Sequence, residues 1–297
     1  MFKLILILTF VFFHGCSSRE NNQECTSFIG ASQGQRPMSW NSIQHIVVVF
    51  LENTAYLDAI KQPFHAKLAQ LGGLLINSYA LSRPSQPNYI GFTSGDSFGV
   101  ATNDPISLNV TNLADLLDGV NKSWKLYAES YPGNCDLTPI IGAYAKKHVP
   151  FLSYDNITSQ PSRCAKITHE VDFDSDIANG TLPEFSLFIP NNTSNGHDTG
   201  VAYADSWLKT KFENILANSQ LMANTLFIFT YDEGTDPTAG DKNHIYTVFV
   251  GAGVQPGSTE NACINHYGVL ATIEEILQLG NLGRNDERAN KVFKIWK

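Results

Sequence analysis

Residues 45–53 read HIVVVFLEN, and the placing of this stretch decides the fold. Ile46–Leu51 is an unbroken apolar run rich in Val and Ile, the composition of a strand covered on both faces. A strand with one wet face would alternate apolar and polar residues instead. Outward from it, Leu74–Ala80, Trp124–Ala128, Phe185–Ile189, Leu226–Tyr231 and Ile245–Val250 read as further strands. Leu113–Val120, Pro139–Lys147, Tyr203–Leu221 and Tyr267–Leu279 read as helices between and after them. Strands alternating with helices predict an α/β fold, a mostly parallel sheet with helices on both faces. With 297 residues, 43% of them apolar, the chain can bury a large core as a single domain spanning residues 43–297.

The reactive side chains fall where strands end. Glu52 and Asn53 follow the first strand, Asp232 and Glu233 follow LFIFTY, and His197 and Asp198 lie in the loop after FSLFIP. In an open parallel sheet ligands bind at the carboxyl ends of the strands. A single carboxylate there is ordinarily a helix cap or a turn residue. Three polar clusters on one edge favour a site. Glu52, Asn53, Asp232 and Glu233 are all oxygen donors, which suits one hard or borderline divalent cation. Magnesium, calcium, manganese and zinc all remain open.

Two serines in SRPSQPNYIGFTSGDSFG (82–99) compete as nucleophiles. Ser97, in Gly-Asp-Ser-Phe-Gly, matches the G-x-S-x-G elbow of acyl hydrolases, which needs a strand before it and a helix after it. The turn Asn103-Asp104-Pro105 follows instead, so the context fails. Ser85-Gln86-Pro87 reads as the opening of a short helix running to Gly95, with Ser85 at the N-cap and Pro87 in the first turn. A serine there is expected to have free backbone N–H groups and the positive end of the helix dipole beside it, which favours an alkoxide and a phosphate alike. A plain capping serine explains the stretch equally well.

MFKLILILTFVFFHGCSS has a positive start, an apolar run of ten residues and small residues after it, and reads as a signal peptide over residues 1–17. A lipid anchor on Cys16 is the alternative. Residues 18–42 read as a polar arm. Ten apolar residues are too few for a membrane span, which takes about 20, so no stable membrane association is expected. A secreted or lysosome-like location follows. Cleavage leaves Cys25, Cys135, Cys164 and Cys263, an even number that predicts two disulfides. Three pairings are possible, and nearness in sequence favours Cys135–Cys164, leaving Cys25–Cys263. Sequons at Asn109, Asn121, Asn156, Asn179, Asn191 and Asn192 fit a glycosylated surface. The net charge of −8 and the lack of any basic run argue against a nucleic-acid partner.

Taken together, HIVVVFLEN (45–53), PSQPNYIGFTSG (84–95), PNNTSNGHD (190–198), TYDEG (230–234), NHIYTVFVGAGVQPG (243–257) and HYGVLATIEEIL (266–277) are similar to the phosphoesterase family. That family groups acid phosphatases with bacterial-type phospholipases C, inside the alkaline phosphatase superfamily. The resemblance implies an alkaline phosphatase-like fold and a single-metal site. Glu52, Asn53, Ser85, Asp232 and Glu233 map onto the ligands, with Asn53 also reaching the phosphate. It implies Ser85 as the hydroxyl nucleophile, giving a phosphoserine, and His197 and His244 as phosphate contacts. His197 is then the candidate acid for the leaving oxygen, with Asp198 fixing its ring. His266 opens a helix and reads as a cap. Phospholipases C of this family run longer, with extra domains, so a phosphomonoesterase acting on small phosphate esters is expected. A phospholipase C-type diesterase and a catalytically silent cell-surface glycoprotein are the alternatives.

Overall fold

The computed structural model describes residues 35–235 and 242–297; the expected signal peptide and most of the arm lie outside the described residues. Among the described residues the strands are β1 (His45–Leu51), β2 (Gly73–Leu75), β3 (Ser78–Tyr79), β4 (Trp124–Ala128), β5 (Ile140–Ile141), β6 (Tyr144–Ala145), β7 (Ile167–His169), β8 (Phe185–Ile189), β9 (Thr225–Tyr231), β10 (Thr247–Gly251), β11 (Ser258–Glu260) and β12 (Ile264–Asn265). Eight of them form one sheet in the order β11-β2-β10-β9-β1-β8-β4-β7. β1 lies inside it, parallel to β8 on one side and to β9 on the other. β4 and β7 continue the parallel run, while β10 is antiparallel to both β9 and β2. The sheet is mostly parallel, as expected.

The apolar run in β1 is explained by what covers it. Ile46, Val48 and Phe50 share one core with residues of helices Gln86–Ser94, Leu113–Gly119 and His266–Leu277. Val47, Val49 and Leu51 share the other with Pro63–Leu71, Glu170–Asn179 and Val201–Ala217. Both faces of the strand are dry, and each such side chain contributes roughly 1.5–3 kcal/mol on burial.

Three elements differ from the sequence reading, one of them Tyr203–Leu221, which is two helices, Val201–Ala217 and Ser219–Met222, broken at Asn218. Pro139–Lys147 is not a helix: β5 and β6 pair antiparallel around Gly142, whose φ is +57, and a 3₁₀ turn follows at Lys146–His148. A glycine in the left-handed region supports a tight reversal and breaks a helix. Leu74–Ala80 is split into β2 and β3, which belong to different sheets. The helix after Ser85 runs Gln86–Ser94 and stops at Gly95, φ +72, as expected.

Cys135 and Cys164 form a disulfide with Cα atoms 5.8 Å apart. Cys263 is also disulfide-bonded; its expected partner, Cys25, lies outside the described residues. Of the sequons, Asn109, Asn121 and Asn179 are exposed, whereas the amide of Asn156 donates to Asp115 and that of Asn191 to Ser130.

Helix His266–Leu277 carries a buried acid, Glu274, whose Oε1 has no hydrogen-bond partner. Burial, then the charge of Asp286, pushes its pKa up to about 9. Folding therefore favours the neutral form. No stability is lost below the unfolded pKa, and the cost grows as pH rises through the window up to about 9. Glu274→Gln is expected to flatten this pH dependence and to add on the order of 3 kcal/mol at neutral pH. Urea unfolding at acidic and neutral pH measures both.

Candidate active site

The parallel pairing sets the carboxyl ends of β9, β1 and β8 side by side, and each delivers one of the expected clusters. Leu51 and Tyr231 are register partners, so Glu52 and Asp232 leave adjacent strands at the same level. Asn53 sits in the left-handed region at φ 44, a strained position for any residue other than glycine, although Asn tolerates it best. That turn sends its backbone N–H to Asp232 Oδ1 at 3.0 Å and its amide to Glu233 Oε1 at 3.1 Å. Glu52, Asn53, Asp232 and Glu233 thus form one cluster.

Ser85 joins it from the opposite side. The hydroxyl makes no capping bond to its own helix and donates to Glu52 Oε2 at 3.1 Å. The capping explanation therefore fails. So does the expectation of free N–H groups beside the serine: the Gln86 N–H is bonded to Asn103 Oδ1, Pro87 has none, and the Asn88 N–H bonds the Ser85 carbonyl. Ser97 lies beyond the other end of this helix, in a loop. No strand leads into it, so the elbow geometry is absent there.

Other residues complete the centre without a sequence signal. The Tyr89 hydroxyl, one turn after Ser85, donates to Glu52 Oε1. Burial, then the Glu52 charge, pushes the Tyr89 phenol up, so it remains a donor. His148 Nε2 lies 3.1 Å from the same oxygen, and its ring is stacked on Tyr89. Burial, with the Lys147 and His197 charges, holds that imidazole far down and neutral. Asn195 is buried with a partnerless amide Nδ2, while its Oδ1 receives the His197 N–H at 2.8 Å. His266 is not a cap: Asn265 takes that role, and the His266 ring donates from Nε2 to the Asp232 carbonyl at 2.8 Å. A tertiary contact of this kind leaves no mark in local sequence.

His197 stands at the solvent edge, 6.4 Å from His148 between ring centroids, with Nδ1 held by Asp198 Oδ1 at 2.7 Å. That pairing leaves Nε2 for a ligand. His244 is positioned differently. Its ring stacks between Tyr56 and Tyr79, and its Nε2 reaches the Ile76 carbonyl at 3.0 Å.

Among the described residues no group of three His, Cys, Asp or Glu side chains is arranged to hold a metal by itself. The donor set here is mixed, and its free atoms are all oxygens. Asn53 Oδ1, Asp232 Oδ2 and Glu233 Oε2 are buried without a hydrogen-bond partner among the described residues. Burial raises the pKa values of Glu52, Asp232 and Glu233, and the negative charge of Asp232 adds to the rise at Glu52 and Glu233. Buried polar atoms are ordinarily paired, and crowded carboxylates need a counter-charge. The residues fit a divalent cation.

The chain is 34% identical over 262 residues to a probable acid phosphatase of Kluyveromyces lactis, covering 84% of this chain and 62% of that one. It is 32% identical over 277 residues to a phosphatidylinositol-3-phosphatase of Mycobacterium tuberculosis, covering 91% of this chain and 89% of that one. The chain thus spans about three fifths of the length of its yeast relative. A protein of the alkaline phosphatase superfamily from Vibrio parahaemolyticus shares the fold, with a TM-score of 0.55 and 16% identity over 82% of this chain and 70% of that one. The Phosphoesterase family matches residues 50–280, a segment that holds every residue of the cluster, and the chain belongs to that family.

Proposed function

We propose that the chain is an exported, metal-dependent phosphoric ester hydrolase, acting as an acid-phosphatase-like phosphomonoesterase through a phosphoserine at Ser85. The observation that carries this reading is the Ser85 hydroxyl, withdrawn from its cap position and aimed at Glu52 Oε2. Glu52, Asn53, Ser85, Asp232 and Glu233 would hold the cation. A divalent cation there supplies positive charge that acidifies the serine hydroxyl and offsets charge on the transferring group.

The chain's own residues supply the remaining chemistry. The Ser85 Oγ–H bond breaks as Oγ forms a bond to phosphorus, and Glu52 Oε2 is the hydrogen-bonded acceptor for that proton. The bond from phosphorus to the ester oxygen breaks, and His197 Nε2 delivers a proton to the leaving oxygen while Asp198 fixes the ring. Water then attacks phosphorus and His197 takes its proton, while the bond from phosphorus to Ser85 Oγ breaks and the proton held by Glu52 returns to Oγ, which frees phosphate and restores Ser85. The Asn53 and Asn195 amides are neutral donors beside the forming charge.

The test is a comparison of p-nitrophenyl phosphate with its bis-ester and with phosphatidylcholine, at acidic and alkaline pH. The monoester is expected to be hydrolysed at least about tenfold faster, with the higher rate at acidic pH. Faster turnover of the phospholipid replaces this reading with a phospholipase C. Absence of any turnover with the cation bound leaves a silent glycoprotein.

A further inference from the structure

The hairpin β5–β6 and the 3₁₀ turn after it build a second feature beside Ser85. A pocket of about 240 Å³ is lined by Gln86, Pro105, Pro139, Ile140, Lys146 and Lys147, together with Asn103. Gln86, which lines it, follows Ser85 directly in the chain, and the charge of Lys147, which also lines it, acts on Glu52, Asp232 and Glu233, so the pocket borders the active site. The Lys146 N–H closes onto the Pro139 carbonyl at 2.9 Å, which fixes the lysine against the hairpin.

Lys146 is unusual for a lysine. It is only 4% exposed, and among the described residues its ammonium has neither an ion pair nor a hydrogen bond. Its stem is buried, while the ammonium itself keeps contact with solvent in the pocket rather than being sealed off. Burial alone lowers its pKa, with no compensating carboxylate. Lys147 adds a second positive charge, and among the described residues the lining holds no acid. On a chain with net charge −8, a dilysine pocket free of carboxylates is selective in sign. The apolar faces of Pro105, Pro139 and Ile140 suit a short carbon frame, and the volume suits a small leaving group.

We propose that this pocket is a leaving-group subsite for a second anion, so that the substrates are small phosphomonoesters whose alcohol also bears a carboxylate or a second phosphate. The inference rests on the phosphomonoesterase reading above. Lys146 Nζ binds the second anion and Lys147 supports it, while the phosphoryl group faces Ser85.

A matched pair of esters tests it. 4-(Carboxymethyl)phenyl phosphate and the corresponding carboxamide differ in charge, and the methylene insulates the phenol from that difference. The acid is expected to show a kcat/KM about tenfold or more above the amide, the size of a charge-assisted hydrogen bond. Lys146→Met is expected to lower that ratio several-fold, and Lys146→Arg to retain it, with thermal melting confirming that both variants fold. Equal kcat/KM values in the parent, or an unchanged ratio in Lys146→Met, overturn the subsite. The analogous arylphosphonates, titrated by calorimetry, read the same preference without turnover. A binding preference for the acid with no hydrolysis of either ester sinks the phosphatase reading alone, and equal binding sinks the subsite alone.

Discussion

Ser85→Ala is expected to lower the phosphatase rate by several orders of magnitude while leaving a folded protein. Phosphomonoester hydrolysis is among the slowest uncatalysed reactions, so a lost covalent nucleophile removes a large part of the acceleration. The structural cost is small by comparison. Ser85 makes no capping bond to lose, and the variant forfeits one hydrogen bond to Glu52 Oε2. Leaving that buried oxygen short of a donor costs about 1–3 kcal/mol. Rate and stability therefore separate by magnitude. Ser97→Ala, in the loop beyond Gly95, is expected to stay within a few-fold of the parent rate. Circular dichroism and melting establish the fold of each variant, and steady-state kinetics on p-nitrophenyl phosphate supplies the rates. An active, folded Ser85→Ala protein would falsify the assignment of the nucleophile, and a dead Ser97→Ala protein would move it to the other serine.

The contrast between these serines also marks what a sequence discloses. β1, β8 and β9 were legible because burial on both faces forces largely apolar runs, and the residues at their ends follow from chain order alone. Glu52, Asp232 and His197 could therefore be gathered on one edge without coordinates. The hairpin at Ile140–Ala145 was not legible. Its strands are two residues each, too short to show a period, and only the left-handed Gly142 separates them from a helical pattern. His148 and Lys146 lie in the turn that this misreading hid. His148 gains meaning from Glu52, which is far off in sequence, and Lys146 from a pocket that brings Gln86, Asn103 and Pro105 to the hairpin from distant segments. Ser85 was ambiguous for a different reason. A cap and a nucleophile need the same residue at the same helix end, and only the direction of its hydroxyl divides them.

Removal of the cation is expected to abolish activity, and Asp232→Asn to do the same without any chelator. Asp232 is wholly buried; its Oδ1 receives the Asn53 and Glu233 N–H groups, and its Oδ2 has no partner. Asparagine keeps the shape at this position but removes the charge. A metal's contribution to phosphoryl transfer is worth several kcal/mol, so a loss of at least about a thousandfold is expected in either case. Stability carries the independent sign. In the cation-free protein the Asp232 charge raises the pKa values of Glu52 and Glu233, which records a repulsion between buried acids. Asp232→Asn relieves it, so the cation-free variant is expected to melt at or above the cation-free parent. A cation that binds only the folded state adds about 2.7 kcal/mol at one hundred times its dissociation constant. The parent is therefore expected to gain several degrees on adding a divalent cation after chelation, and the variant almost nothing. Elemental analysis should find one equivalent of metal in the parent and a small fraction in Asp232→Asn. Full activity after exhaustive chelation, or equal melting shifts in the two proteins, would place the counter-charge of these carboxylates elsewhere and remove the cation from the reaction.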